Sequence, residues 1–385
     1  MVNQLDELKV PTKILIIGMM DSVHTYRWLE QFIDSNLEFE LIPSTPNRRI
    51  HPGIREILKK QSMSSLYISK LSQFGSVPIG LLDLIFGFRI RGRIVAHRIR
   101  KFRPDFVHLL ETQHAGDIGM RAFSRMHKKP KIILTIWGSD LNWFKDNPKH
   151  EKLIRETLLN VDYLSCECKR DQEIAMEMGY KNRFLRIIPA SGGVELPEDL
   201  DGTTKASLRK KIMVKGYSGF VGKAQSALES IERCADFLQD YEIHVYSSGY
   251  KTRWACKKIL ARTNLSIICH PKKSLSFSEM LKLYGESRLS ISASLSDGFP
   301  GSLREAMMMG CFPIESCGSC SSEWITPGDG GLIINPNDAE DIDQKLQMAL
   351  LNDDLVDNAT FDNRIKARQM FERNNISNIA RSFYS

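Results

Sequence analysis

From residue 294 to residue 310 the chain reads S-L-S-D-G-F-P-G-S-L-R-E-A-M-M-M-G. Gly298, Pro300 and Gly301 make 297–301 a turn rather than the interior of a strand or helix. The apolar residues behind it read as a helix over 302–309. The residues ahead of it, Leu289 to Ser294, read as a short buried strand. Strand, glycine-rich turn and helix in that order form the repeating unit of a parallel α/β sheet.

The same alternation recurs in both directions from this stretch. Upstream, Lys211 to Val214, Glu242 to Tyr246 and Leu265 to Ile268 read as strands, and Cys311 to Glu315 follows downstream. Helical patterns fit 223–238, 252–260, 277–285 and 339–351. The N-terminal half repeats the scheme, with strands at 13–18, 105–110, 131–137, 161–165 and 186–189. Its helices fit 23–35, 115–127, 148–159 and 169–179. The sequence therefore predicts an α/β protein of two Rossmann-like parallel-sheet domains facing a cleft, where ligands of such folds bind. The expected boundaries are 1–195, a polar linker over 196–206, a second domain over 207–360, and a polar amphipathic helix over 361–385 packing back across the domains.

At 385 residues, 42% hydrophobic and 26% charged, the chain is globular and long enough for two domains. Its eight cysteines have no framework spacing. Cys317-x-x-Cys320 lacks the second pair or histidine that a structural zinc needs, so reduced, mostly buried thiols are expected. The polar start M-V-N-Q-L-D-E-L-K is no signal peptide, which points to the cytoplasm. The net charge of +7 is concentrated in Arg89 to Arg103, with seven basic residues and no acid. The stretch from Val77 to Phe88 before it is apolar but too short to cross a bilayer. Residues 77–103 are either a patch that lies peripherally on an anionic membrane surface or a loop beside a solvated helix. Nucleic acid does not fit, because the charge is local and no binding module accompanies it.

Two readings of Asp297 and Glu305 stand side by side. Ser302 and Glu305 can form a capping box. Alternatively, the helix N-terminus offers free amides to phosphate oxygens, Glu305 accepts two hydroxyls of a ribose, and Asp297 holds hydroxyls of a second sugar. The block Asp297 to Ile314 closely resembles the acid–x7–acid signature of retaining, two-domain glycosyltransferases of family 4 (GT-B type, group 1). Ser322-Glu-Trp-Ile325 and Gly328 to Asp338 fit the same family. So do Asp21 to Trp28, Trp137-Gly-Ser-Asp140 and Pro189 to Val194, and the resemblance spans nearly the whole chain.

The resemblance implies a nucleoside-diphosphate sugar, UDP- or GDP-linked, held by the second domain, with no essential metal and no cofactor. The acceptor, a glycan or lipid-linked glycan, would lie on the N-terminal domain. Glu305 would bind the ribose and Asp297 the transferred hexose, although the family usually carries glutamate at the first position. Phe299, Pro300, Gly301, Ser302 and Leu303 would line the sugar and its phosphate. Lys223, with Lys215 in reserve, would neutralise the diphosphate as its charge grows in the transition state. Gly18 and Gly219 belong to the glycine loops of the two domains. His114 would contact the transferred sugar, or else is a satisfied helix-end residue. His24, Arg27 and Asp140 would face the acceptor, and His270 would shape the nucleotide-base loop. Trp28, Trp143 and Met307 to Met309 read as packing. The alternative is a catalytically silent nucleotide- or carbohydrate-binding or scaffolding protein of the same fold.

Overall fold

A computed structural model of the chain describes residues 11–33, 35–46, 49–60, 66–68, 76–85, 89–196 and 204–385. Residues 197–203 of the expected linker and 86–88 of the apolar stretch lie outside the described residues. The chain forms two compact units. The first comprises residues 1–167, 171–192 and 376–385, the second residues 168–170 and 193–375.

In the first unit, strands β1 (Thr12–Gly18), β2 (Leu37–Pro43), β3 (Leu66–Ile68), β4 (Phe106–Leu110), β5 (Lys131–Thr135), β6 (Tyr163–Ser165) and β7 (Arg183–Phe184) form one sheet. Its order is β3-β2-β1-β4-β5-β6-β7 and every pairing is parallel. The period-two alternation of β1 sends Leu15 and Ile17 into one apolar cluster and Ile14 and Ile16 into the other, so both faces are covered.

The second unit holds β8 (Lys211–Lys215), β9 (Glu242–Ser248), β10 (Ser266–Pro271), β11 (Ser287–Ser292), β12 (Phe312–Ser316) and β13 (Leu332–Ile334). These are again all parallel, in the order β10-β9-β8-β11-β12-β13. Ile212 and Val214 face one cluster and Met213 the other. Each sheet reverses its strand order once near the middle, between β1 and β4 and between β8 and β11. In Rossmann-like folds such reversals are where loops diverge and leave room for a ligand.

Several expectations change. Arg186 to Pro189 is not a strand; the ladder is made three residues earlier by β7, and Ile188 goes into the core without pairing. The C-terminal segment is not one helix: helix Asp353–Phe371 ends at Glu372 and helix Arg373–Ser382 follows. The second of these and the turn after it supply core residues to the first unit, where Ile376, Ala380, Phe383 and Tyr384 are buried. Trp28 is buried, and its indole N–H donates to the Tyr384 hydroxyl at 3.2 Å. Met307 to Met309 are buried too, whereas Trp143 is 38% exposed. The cysteines are not all free, since Cys168 and Cys320, 152 residues apart, are joined by a disulfide. Among the described residues no helix is long and apolar enough to cross a membrane.

Candidate functional site

At the strand reversal of the second unit, the glycine-rich segment after β8 runs beside the loop after β11. Gly222 and Ser294 form an isolated antiparallel bridge. The Leu295 N–H donates to Val221 O at 2.8 Å, and the Lys223 N–H donates to Ala293 O at 2.9 Å. Gly216 is required sterically, because a Cβ there would lie 2.7 Å from the Tyr246 carbonyl oxygen. Gly219 has no such constraint and is exposed, with its carbonyl accepting from the Gly222 N–H.

This zipper brings Lys215, at the end of β8, to Asp297. The Lys215 Nζ lies 3.3 Å from Asp297 Oδ2, and the two side chains are 21% and 30% exposed. Burial works to lower the Lys215 pKa, but Asp297, Tyr246 and Glu315 together raise it. Lys215 is therefore a firmly charged ammonium at the mouth of the sheet. The other Asp297 oxygen accepts from the Gly298 N–H at 3.0 Å. Arg170 fixes the loop from below, its guanidinium donating to Asp297 O at 2.8 Å and to Gly318 O at 3.0 Å. Glu323 accepts from the Lys169 and Arg170 N–H groups at 2.7 and 3.0 Å, and the Cys168–Cys320 bond lies alongside.

Helix Gly301–Met308 begins two residues after Phe299, with Pro300, which makes no side-chain capping hydrogen bond, as its N-cap. The capping-box reading is thereby overturned. Ser302 is inside the helix, and its buried hydroxyl finds no hydrogen-bond partner. Glu305 sits in the second turn, 8% exposed. The Phe299 ring is core, 4.5 Å from Trp324 and 4.9 Å from Phe371, and Leu303 is fully buried. These two can offer a ligand only their backbone.

Sequence reasoning missed three groups here. The hydroxyls of Tyr246 and Tyr284, 2.9 Å apart, lie within electrostatic reach of Glu305. On β12, Glu315 is buried, its pKa pushed up to about 8 by burial against the pull of Lys215. Neither of its oxygens meets a hydrogen-bond donor at bonding geometry. The signal for Glu315 was legible, since it is the one charge in the otherwise apolar strand Phe312-Pro-Ile-Glu-Ser316. His270 stands apart from this cluster, on the outer strand β10. Its Nε2 is 2.9 Å from His244 Nδ1, and His244 Nε2 is 2.6 Å from Glu242.

The first unit repeats the arrangement at its own reversal. Gly18 closes β1, where a Cβ would lie 3.2 Å from Leu110 Cδ1. Past β4, Glu111 has φ 80°, a backbone region where non-glycine residues are strained. Its buried carboxylate accepts from the N–H groups of His114, at 2.8 Å, and Ala115, at 2.6 Å. Burial raises the Glu111 pKa to about 8. Asp140 is tied in as well. It accepts from the Trp137 N–H at 2.7 Å and from Thr112 at 3.2 and 3.3 Å, and burial raises its pKa to about 7. Asp140 thus braces the π-helical turn Thr112–Gly116 that carries His114.

Burial, followed by the charge of Arg91, lowers the His114 pKa, which keeps its ring neutral. His114 lines a cavity of about 370 Å3 together with Gln113, Arg91, Asp117, Leu81 and Leu84. His24 occupies the first turn of helix Val23–Glu30, its ring 5.2 Å from that of Trp137. Arg27 is one turn further along the same helix, its carbonyl accepting from Gln31.

Comparison with known proteins follows this division. Residues 13–167 match the family described as glycosyl transferase 4-like, and residues 216–352 match glycosyl transferases group 1. No curated protein matches the chain. Solved structures of similar fold include a glycosyltransferase from Rickettsia africae ESF-5, 15% identical, covering 97% of this chain and 98% of its own, with TM-score 0.66. A sucrose-phosphate synthase from Thermosynechococcus elongatus is 12% identical over 97% and 98%, with TM-score 0.70. Anabaena HepE, solved in complex with UDP and glucose, is 12% identical over 97% and 99%, with TM-score 0.67.

Proposed function

Because the chain belongs to the GT-B-fold glycosyltransferases, related to the 4-like and group 1 families, we propose that it moves a hexose, with retention, from a nucleoside-diphosphate sugar to a glycan or lipid-linked glycan. The observation that carries this reading is the Lys215–Asp297 pair at the strand reversal, beside the N-terminus of helix Gly301–Met308. Cleaving the anomeric C–O bond leaves a diphosphate with growing negative charge. An ammonium and the amides of a helix N-terminus, already in place, stabilise that charge without reorganising.

Asp297 has a double use in this scheme. Without a donor it neutralises Lys215. With one bound, the diphosphate takes over that ammonium and frees the carboxylate for sugar hydroxyls. Glu305 holds the ribose from the second turn of the helix. Lys223 is anchored by its backbone and serves as the second cation. Phe299, Pro300, Gly301, Ser302 and Leu303 contribute main-chain groups and the Ser302 hydroxyl, while His270 shapes the base side. Neutral His114, with Asp140 behind its turn, faces the transferred sugar, and His24 and Arg27 face the acceptor. The attacking hydroxyl gives up its proton to the departing diphosphate, so no protein nucleophile is required.

The complex of HepE with UDP makes uridine diphosphate the first nucleotide to try. Calorimetric titration of UDP, GDP and ADP against wild type and Glu305→Ala tests the assignment. Selective binding that the variant loses supports it; a folded wild type that binds none of them refutes it. Binding without turnover of any donor would favour the silent scaffold. We place the protein in the cytoplasm, peripheral to the membrane. Cytosolic thiols would keep Cys168 and Cys320 reduced, so trapping free thiols in freshly lysed cells checks that placement.

A further inference from the structure

Helix Ser76–Ile85 in the first unit is built inside out. Its buried positions are Gly80 and Asp83, while Val77, Leu81, Leu82, Leu84 and Ile85 are 37%, 60%, 42%, 63% and 74% exposed. Gly80 lets the helix press against Pro46. Asp83 is 1% exposed, and its carboxylate accepts from the Ile90 N–H at 2.6 Å and the Arg91 N–H at 3.1 Å. The polar contacts thus fasten the helix to the unit and turn its aliphatic side chains outward. Other exposed apolar residues are mostly scattered, and scattered ones need no explanation; five within nine residues do.

The charge next to this patch identifies what covers it. Helix Arg89–Phe102 starts where Asp83 caps it and exposes Arg93, His97, Arg100 and Lys101, with Arg103 just beyond. Arg98, by contrast, is spent on buried Glu40 at 2.7 Å. Among the described residues Arg93, Lys101 and Arg103 make no ion pair. Exposed aliphatic side chains beside unpaired cations suit the boundary between the acyl chains and the anionic headgroups of a bilayer. The 370 Å3 cavity is shared with this helix, since Val77, Leu81 and Leu84 line it together with Arg91, Gln113 and His114.

We propose that helix Ser76–Ile85 seats in the surface of an anionic membrane and that the cavity behind it receives the polar end of a lipid-borne acceptor from that leaflet. The inference rests on the transferase reading and narrows its acceptor to the lipid-linked class. His114 then meets a hydroxyl that arrives from the membrane side, while the chain of the acceptor stays among lipids.

Co-sedimentation of the full chain with vesicles tests this, using phosphatidylcholine alone and phosphatidylcholine with phosphatidylglycerol. Wild type is expected to partition onto the anionic vesicles and to leave them as salt rises. Leu81→Asp with Leu84→Asp should weaken partitioning about tenfold or more, and Arg93→Glu with Lys101→Glu should remove the preference for phosphatidylglycerol. Both double variants lie on exposed positions and should bind UDP as wild type does. In a Leu84→Trp variant, the fluorescence of the introduced indole should be quenched by phosphatidylcholine brominated on its acyl chains. Wild type that ignores anionic vesicles while binding UDP overturns the membrane inference and leaves the transferase reading standing. Vesicle binding without nucleotide binding overturns the transferase reading, and with it the acceptor role of the cavity, and leaves only the membrane seat of the helix. Unchanged partitioning of the Leu81/Leu84 double variant, or no quenching of the Leu84→Trp variant beyond that of wild type, also overturns the inference.

Discussion

Replacing Glu315 by glutamine is the most direct probe of how the second unit carries its charge. The carboxyl is fully enclosed on β12, and burial raises its pKa from 4.5 to about 8. The folded protein therefore holds this proton far more tightly than the unfolded chain does. The stability that results is complete below pH 4.5 and is lost as pH climbs to about 8, because folding must then either retain a proton or bury a carboxylate. At about 1.4 kcal/mol per pH unit, the interval amounts to on the order of 4–5 kcal/mol, a large share of a domain's total stability. Glutamine has the same shape and never ionises. Its amide brings two donors to a place that faces the Lys215 ammonium, which costs about 1–3 kcal/mol at every pH. Urea unfolding of both proteins, followed by circular dichroism from pH 5 to pH 9, separates the two effects. The variant should be the less stable at pH 5 and should gain about 3–5 kcal/mol on wild type by pH 9. Parallel curves, with a difference constant to within about 1 kcal/mol across that range, would refute the argument. Glu111, with a pKa near 8, and Asp140, with one near 7, titrate in the same window, but they are common to both proteins and cancel in the comparison.

Three other outcomes follow from the same geometry. Lys215→Met should weaken UDP binding by about thirty- to a hundredfold, the worth of a charge-assisted contact, whereas Asp297→Asn should keep UDP affinity and lose turnover of the sugar nucleotide; calorimetry paired with a transfer assay reads both. In purified protein oxidised to form the Cys168–Cys320 bond, Cys320→Ser should lower stability by about 2–5 kcal/mol, the range for a crosslink closing a long loop, and dithiothreitol should bring wild type to the same unfolding midpoint. Deleting residues 376–385 removes Ile376, Phe383 and Tyr384 from the first core; at about 1.5–3 kcal/mol for each large apolar side chain, that unit should lose its cooperative melt while the second unit keeps its own.

Most strands were legible because both faces of these sheets are buried, which writes them as unbroken apolar runs such as Lys13-Ile-Leu-Ile-Ile-Gly18. The elements that escaped break that rule. Strand β2 interleaves Glu38 and Glu40 with its apolar residues, and Glu40 is tolerated inside only because Arg98, 58 residues away, meets it. Strand β13 is three residues long, too short for any periodicity. Of the candidate site, the turn carrying Asp297 and the helix carrying Glu305 could be read from glycine and proline spacing alone. The partner of Asp297 could not, because it depends on which strand lies next to β11. The Tyr246–Tyr284 hydroxyl pair and the Cys168–Cys320 bond were hidden for the same reason. Each joins residues whose closeness exists only once the sheet order does. The left-handed backbone of Glu111 carried no glycine to announce it.

The chain leaves the first unit at Gly192 and re-enters it at Ile376. During synthesis, then, the N-terminal unit still lacks part of its core when its own sheet has been made. It waits, with the site for Phe383 and Tyr384 vacant beside Trp28 and Phe39, until residues 376–385 emerge. The second unit is contiguous apart from 168–170 and is complete sooner, although it is translated later. The usual order, in which the N-terminal domain folds first on the ribosome, is thereby delayed, because the N-terminal unit gains its last core residues only after the second unit has been translated.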